Sequence, residues 1–176
     1  MRAYLNQGIL LGLGYVAITL ILAFAGFHSD PSKFPAATDI SFFANLALGI
    51  LLMVRGVRAR RLLTPPIYDF PFGLAMGIAV FIALVGGIVA ALFQFFYMWL
   101  LNPTFSETAI QAGLAELQKS GASADHLKQS EELLRTLYRP AIYPAFRFLL
   151  ATTLNVIVAA AIAGIMRRKA VAESAP

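Results

Sequence analysis

Residues able to carry out chemistry are few in this chain of 176 residues. The two histidines, His28 and His126, stand in no metal-ligand spacing such as HExxH. The chain has no cysteine, which excludes disulfides and thiolate chemistry. It also has no Gly-rich phosphate loop, nucleophile elbow or Ser/His/Asp pattern. His28 lies near Asp30 in a loop, where such a histidine is usually solvated. The sequence therefore predicts no enzyme, no cofactor and no metal site.

The elements that must position these residues are four long apolar runs. Apolar residues make up 59% of the chain and charged residues 13%, whereas soluble proteins have about 25% charged residues. A hydrocarbon core of about 30 Å needs roughly 20 helical residues. The predicted spans are residues 8–27, 40–57, 70–101 and 144–166, the second requiring Arg55 to extend its side chain to the interface. We expect an all-α fold: a membrane-embedded four-helix bundle forming one domain, 1–176.

The first run leaves one alternative open. Arg2, an apolar stretch and Ala23-Phe24-Ala25 also resemble a signal peptide with a small-residue cleavage site. The run is long for such a segment, and its glycines continue a packing stripe, which favours a retained span. Cleavage would leave three spans in the same orientation.

Basic residues are concentrated on one side of the four-span arrangement. That side holds Arg2, Arg55, Arg58, Arg60, Arg61, Arg167, Arg168 and Lys169, and the other holds Lys33, Lys119, Lys128, Arg135 and Arg139. The positive-inside rule then predicts that both termini are cytoplasmic and that residues 102–140 lie outside. The arginines between the second and third spans are candidates for contact with anionic lipid headgroups. Since the positive charge adjoins the apolar runs, we expect the bilayer, and no nucleic acid, as partner.

Residues 102–140 predict a helical hairpin with a break at Ser120-Gly121. Thr104 with Glu107 fits a capping box for the first helix, and Ser123 can cap the second. Each helix carries one narrow apolar stripe. The hairpin is expected to pack on itself or on the membrane surface, with a docking surface for a partner as the alternative.

Polar side chains within the spans form a candidate polar core of Asn45, Gln94, Asn155 and Thr152. Asn45 and Gln94 lie at similar depth, so we expect them to hydrogen-bond each other, or to meet Asn155 or a shared water. The same amides could line a channel. No Asp, Glu or His lies in a predicted span, however, and ion-coupled transport normally needs one.

Arg147 and Trp99 are expected to be interfacial anchors. Arg147 follows Pro144 at the start of the fourth span and points about 140° away from Thr152 at 100° per residue. Pairing with Glu131 or Glu132 would offset its charge. Trp99 closes an aromatic belt at the end of the third span, which also contains Phe93, Phe95, Phe96 and Tyr97.

Short motifs near the span ends give the chain a family likeness. These are Phe70-Pro71-Phe72-Gly73, Asn102-Pro103-Thr104-Phe105, Lys119-Ser120-Gly121-Ala122-Ser123 and the basic tail. Over roughly residues 8–169 the chain resembles a bacterial family known as domain of unknown function 4199, whose members look like small four-span proteins. The resemblance implies a bacterial cytoplasmic membrane and brings no catalytic or binding residues to transfer.

Two functions follow from these patterns. The first is a non-enzymatic interaction or accessory component of the membrane, associating with further copies of itself or with another membrane protein. The alternative is a small channel or transporter with a polar lining of Asn45, Gln94 and Asn155.

Overall fold

The computed structural model describes residues 2–170, which form six α-helices and no strand longer than an isolated bridge. The helices are α1 (Arg2–Phe24), α2 (Phe34–Leu62), α3 (Phe72–Phe96), α4 (Phe105–Lys119), α5 (Ala124–Leu137) and α6 (Tyr143–Met166). A π-helical segment, Tyr97–Leu101, directly continues α3. The predicted all-α class is confirmed.

Four helical segments of the described chain are long and apolar enough to cross a membrane. They are Tyr4–Phe24, Phe34–Leu62, Phe72–Leu101 and Tyr143–Met166. The protein is therefore a multi-pass membrane protein. The first span ends at Phe24, short of the predicted Phe27, because Gly26 adopts a φ of 79°. The Gly26 and Phe27 amides then donate to the carbonyls of Ala23 and Leu22, which is a Schellman ending.

The second span is longer at both ends than the predicted 40–57. It begins at Phe34 and therefore includes Asp39, which is exposed. Asp39 lies near the start of a helix that is longer than the roughly 20 residues a hydrocarbon core needs, so the expectation that no acidic residue lies in a span stays a prediction. The helix also continues to Leu62 through all four arginines of its C-terminal end, where cations interact favourably with the helix dipole.

The chain divides into two compact units, each containing part of every span. We call residues 2–14, 46–89 and 150–170 the glycine unit, and residues 15–45 and 90–149 the hairpin unit. In the glycine unit, α1 packs closely on α3 through glycines. A Cβ atom added at Gly8 would lie 2.6 Å from Cβ of Val85, and one at Gly12 would overlap Val89. The predicted glycine stripe of the first span is thus used inside the chain.

The α2–α3 linker and the C-terminal tail are joined within the glycine unit. Phe70 and Arg168 exchange backbone hydrogen bonds of 2.8 and 2.9 Å. The Arg168 guanidinium donates to the carbonyl of Thr64 at 2.8 Å, and Asp69 Oδ1 accepts from the Ala170 amide at 2.6 Å. Arg168 is therefore a structural residue as well as a topology signal.

Helices α4 and α5 form the predicted hairpin. The break falls at Ser120-Gly121, where Gly121 has a φ of 81°. Ser123 caps α5 by accepting from the His126 amide at 3.3 Å. The capping box at Thr104 is wrong, because the Thr104 hydroxyl instead donates to Asn102 Oδ1 at 2.9 Å and makes no cap bond.

Glu107 of α4 is committed to the second helix of the hairpin. It accepts from Arg135 of α5 at 3.1 Å, and Arg135 also pairs with Glu131 at 2.8 Å. The start of α4 is tied to the end of α5 by a hydrogen bond of 2.8 Å from the Ser106 hydroxyl to the Tyr138 carbonyl. These bonds close the hairpin at its base.

Candidate ligand-binding cavity in the hairpin unit

The core of the hairpin unit is a set of aromatic side chains surrounding His28. We call this set the aromatic cluster; it consists of His28, Phe34, Tyr97, Phe105, Tyr138 and Tyr143. The His28 ring lies edge-on to Phe105, with centroids 5.2 Å apart, and Phe34 meets Phe105 at 5.3 Å. Edge-to-face pairs at these distances are favourable beyond the area they bury. The cluster fixes α4 against the ends of the spans.

His28 is buried, so the prediction of a solvated loop histidine is wrong. Its Nδ1 atom lies 2.7 Å from the Tyr97 hydroxyl oxygen. The left-handed turn at Gly26 ends α1 and carries His28 into the cluster, while Asp30 stays at the surface and accepts from the Ser32 amide at 2.9 Å. Burial lowers the pKa of His28 below its ordinary value, so the imidazole is neutral at pH 7.

The π-helical segment explains why Tyr97 faces inward although it lies in the predicted aromatic belt. The Asn102 amide donates to the Tyr97 carbonyl at 2.7 Å, and the wider turn buries Tyr97 and Met98. π-segments are rare and are found frequently at functional sites. Trp99 is 62% exposed on the outside of the same segment; its anchoring role stays a prediction.

Beside the aromatic cluster the hairpin unit contains a partly open cavity of about 30 Å³. Its polar lining comes from α1, the α1–α2 loop, α2, α3 and α6. The lining residues are Tyr15, Thr19, His28, Phe34, Ala37, Thr38, Ser41, Gln94, Phe105, Tyr143 and Arg147. No single stretch of sequence contains this site, because five parts of the chain each contribute to it.

Comparison with known proteins places the whole span region in one family. A family model described as a protein of unknown function, DUF4199, matches residues 6–169. The chain belongs to the DUF4199 family. The resemblance seen in the sequence is thereby confirmed. No curated protein and no solved structure matches this DUF4199 chain.

Gln94 is the most deeply buried polar residue of the cavity in this DUF4199 protein. Its side chain is 3% exposed. Oε1 is 3.5 Å from the Tyr15 hydroxyl, and Nε2 has no hydrogen-bond partner among residues 2–170. A buried donor without a partner costs about 1–3 kcal/mol. The amide therefore has an unused donor at the cavity.

Arg147 lines the same cavity and is held by tyrosines. Its Cζ atom lies 5.9 Å from the centroid of the Tyr143 ring, and Tyr15 and Tyr138 also interact with it. The predicted pairing of Arg147 with Glu131 is wrong, because Glu131 pairs with Arg135. None of the ion pairs formed within residues 2–170 includes Arg147. The helical spacing within α6 predicts only that Arg147 and Thr152 point in different directions. It cannot show that Arg147 shares a cavity with Gln94 of α3, because that depends on how the helices pack.

The four residues of the predicted polar core fall into different surroundings. Asn45 donates within its own helix to the Ser41 carbonyl at 2.7 Å, and its Oδ1 is buried without a partner in the described chain. The direct Asn45–Gln94 hydrogen bond is absent from residues 2–170, and a shared water stays a prediction. Asn155 and Thr152 belong to the glycine unit, where Asn155 Oδ1 would lie 3.5 Å from a Cβ atom at Gly49.

The predicted lipid-contacting arginines all lie in the last two turns of α2. Arg55, Arg58 and Arg60 are exposed, and Arg61 is partly exposed. Their positions leave the guanidinium groups accessible, and headgroup contact stays a prediction.

Proposed function

We propose that this DUF4199 protein is a non-enzymatic accessory component of the bacterial cytoplasmic membrane that works by binding a small ligand in the hairpin-unit cavity. The observation that carries the proposal is the unpartnered Nε2 of Gln94, which is 97% buried at a cavity lined by polar groups from several helices. Buried polar groups without partners are few in folded proteins and call for an explanation. A bound ligand supplies one.

Binding is preferred to catalysis because of the residue types around the cavity. The lining provides hydroxyls, one amide, one imidazole and one guanidinium. The imidazole Nδ1 pairs with the Tyr97 hydroxyl at 2.7 Å, and within residues 2–170 the lining contains no carboxylate that could complete a nucleophile–histidine–carboxylate set. Within residues 2–170 no group of three or more His, Cys, Asp or Glu side chains could hold a metal ion. The hydroxyl, amide, imidazole and guanidinium groups of the lining are suited to forming hydrogen bonds with a bound ligand.

Binding is also preferred to conduction. A channel lined by Asn45, Gln94 and Asn155 needs all three amides on one path. The cavity lining includes Gln94 but neither Asn45 nor Asn155, and Asn45 donates into its own helix. The cavity lining therefore supports ligand binding better than conduction.

The proposal includes a topology. Both termini are cytoplasmic, the cavity and hairpin face the outer side, and a membrane-protein partner or a second copy responds to the ligated state. The excess of arginine in the α2–α3 linker and the tail motivates this orientation.

Native mass spectrometry of the full chain, extracted in mild detergent, tests the binding function. We expect one small-molecule adduct per chain. Gln94→Leu should lose the adduct, because leucine fills similar volume without a donor. Gln7→Leu is the matched control, since Gln7 has an unpartnered buried Oε1 in the glycine unit. A wild-type chain without any adduct, or equal adduct in both variants, contradicts the proposal.

A further inference from the structure

The cavity of the hairpin unit has an unbalanced positive charge. Among the described residues that line the cavity, Arg147 is the one with a charged side chain at pH 7, and none of them is a carboxylate. Its neighbours Tyr15, Tyr138 and Tyr143 bring hydroxyl groups and no carboxylate, and burial lowers the pKa of His28, which also lines the cavity, below its ordinary value. A guanidinium removed from water is costly unless an opposite charge or good acceptors surround it.

Arg147 and Gln94 also bring hydrogen-bond donors to the lining. The guanidinium has five N–H donors and no acceptor, and one of these donors is used by the Tyr15 hydroxyl. Gln94 Nε2 adds an unused donor, while Gln94 Oε1 already faces the Tyr15 hydroxyl at 3.5 Å. Thr19, 4% exposed, adds a buried hydroxyl. A ligand that completes this set must bring several acceptor atoms.

The contact between Arg147 and Tyr143 does not remove this need. A cation over an aromatic ring is stabilised by the ring face, which accounts for where the guanidinium lies. It leaves Gln94 Nε2 unpaired. Arg147 also lies near the amino-terminal end of α6, where the helix dipole disfavours a cation and favours an anion. An anion near Arg147 satisfies both conditions.

We infer that the cavity binds an oxyanion, a phosphate or carboxylate group, which accepts hydrogen bonds from Arg147, Gln94 Nε2 and the Thr19 hydroxyl. This inference rests on the proposed binding function and specifies its ligand class. A planar guanidinium matches two oxygens of such a group, and hydrogen bonds to charged groups are about twice as strong as neutral ones. The aromatic side chains of Phe34 and Phe105 line the cavity beside the pair.

The size and place of the cavity fit a single small oxyanion group. Its volume of about 30 Å³ accommodates a group of a few atoms, well below the roughly 300–1,000 Å³ of sites that enclose a drug-sized molecule. Arg147 belongs to a helix able to span a membrane. The anionic group can therefore come from a lipid headgroup or from a soluble small anion, and the test separates these sources.

The experiment uses the full chain, delipidated in a neutral detergent, with two sets of probes. Inorganic phosphate and acetate are titrated at constant ionic strength against chloride while the unfolding temperature is measured. In parallel, chains reconstituted with phosphatidylglycerol or with phosphatidylcholine are extracted, and retained lipid is counted by native mass spectrometry. Saturable stabilisation by phosphate or acetate identifies a soluble anion. Retention of one phosphatidylglycerol per chain, without that stabilisation, identifies a lipid.

Variants link either result to the cavity. Arg147→Gln and Gln94→Leu should each weaken binding roughly 10- to 100-fold, as expected for losing hydrogen bonds to a charged group. Arg147→Lys keeps the charge but not the two-donor fork and should fall between. Arg139→Gln is the matched control, because Arg139 is exposed and does not line the cavity. Elution as a single species shows that each variant is folded.

The outcomes decide between the inference and the function on which it rests. Failure of both probe sets, or binding that survives Arg147→Gln in a folded chain, overturns the oxyanion inference. A neutral adduct that co-purifies and depends on Gln94 but not on Arg147 would support the binding function. It would show that the oxyanion inference is wrong. If no adduct of any kind is found, both are wrong.

Discussion

The Nδ1 atom of His28 lies 2.7 Å from the hydroxyl oxygen of Tyr97, although the two residues are 69 positions apart in the chain. The Tyr97 hydroxyl also accepts from Asn102 Nδ2 at 3.0 Å. Its own proton is then available to His28, which favours the histidine tautomer protonated at Nε2. This pair ties the α1–α2 loop to the π-helical segment and closes one side of the cavity.

Tyr97→Phe should lower the free energy of unfolding by about 1–3 kcal/mol, because it leaves His28 Nδ1 buried without its partner. Equilibrium unfolding in detergent measures the change. Tyr68→Phe is the control, since Tyr68 is 60% exposed, and it should change stability by less than about 0.5 kcal/mol. Equal effects of the two substitutions would mean that the His28–Tyr97 bond contributes nothing.

Stability should fall as the pH drops below about 6.5, the ordinary pKa of histidine. Burial lowers the pKa of His28 in the folded chain, so in this range the unfolded chain binds a proton that the folded chain does not. The stabilisation is complete above pH 6.5 and decreases towards the lower folded-state pKa. Unfolding temperatures measured from pH 5 to 8 report the slope.

His28→Asn should flatten that pH dependence. His126→Asn is the matched control, because His126 is exposed on α5, and it should leave the slope unchanged. A slope that persists in His28→Asn would assign the acid sensitivity to another group.

Gly8→Ala should destabilise the chain, whereas Gly77→Ala should not. The added Cβ at position 8 would lie 2.6 Å from Cβ of Val85, and a β-branched side chain cannot move away at that atom. Overpacking of this kind costs about 1–3 kcal/mol. At Gly77 no atom lies within 4 Å of the added Cβ, and replacing a helical glycine contributes about 0.5–1 kcal/mol.

Unfolding of both variants in one detergent checks the glycine prediction. Gly8 lies four residues before Gly12, and Gly77 lies four residues after Gly73, so sequence spacing alone cannot separate the two positions. If Gly77→Ala were the more damaging variant, the open side of α3 would have to contact a further chain.

The sequence predicted the elements of this protein better than its site. The apolar runs predicted the spans, and Ser120-Gly121 predicted the hairpin break. Both predictions depend on length, charge and a turn-forming glycine, which can be read from a short stretch of sequence. The burial of His28 depends on a partner 69 residues away, and the burial of Tyr97 depends on a π-helical turn. Neither has a local signal. The prediction for Arg147 uses the sequence of its own helix alone. That sequence cannot show that α1 and α3 bring Tyr15 and Gln94 to the same cavity as Arg147.

A periplasm-active reporter fused after Lys169 should give no signal. The tail and the α2–α3 linker lie at one end of the glycine unit, because Phe70 and Arg168 exchange backbone hydrogen bonds of 2.8 and 2.9 Å. The basic residues of both segments therefore act on one side of the membrane, where the positive-inside rule places them in the cytoplasm.

The same reporter inserted at Gly121 is the matched control and should be active, since one predicted span separates this turn from the α2–α3 linker along the chain. Neutralising Arg55, Arg58, Arg60 and Arg61 together should reduce the difference between the two fusions, because the linker then retains little orienting charge. Strong activity after Lys169 with none at Gly121 would reverse the topology and put the cavity on the cytoplasmic side.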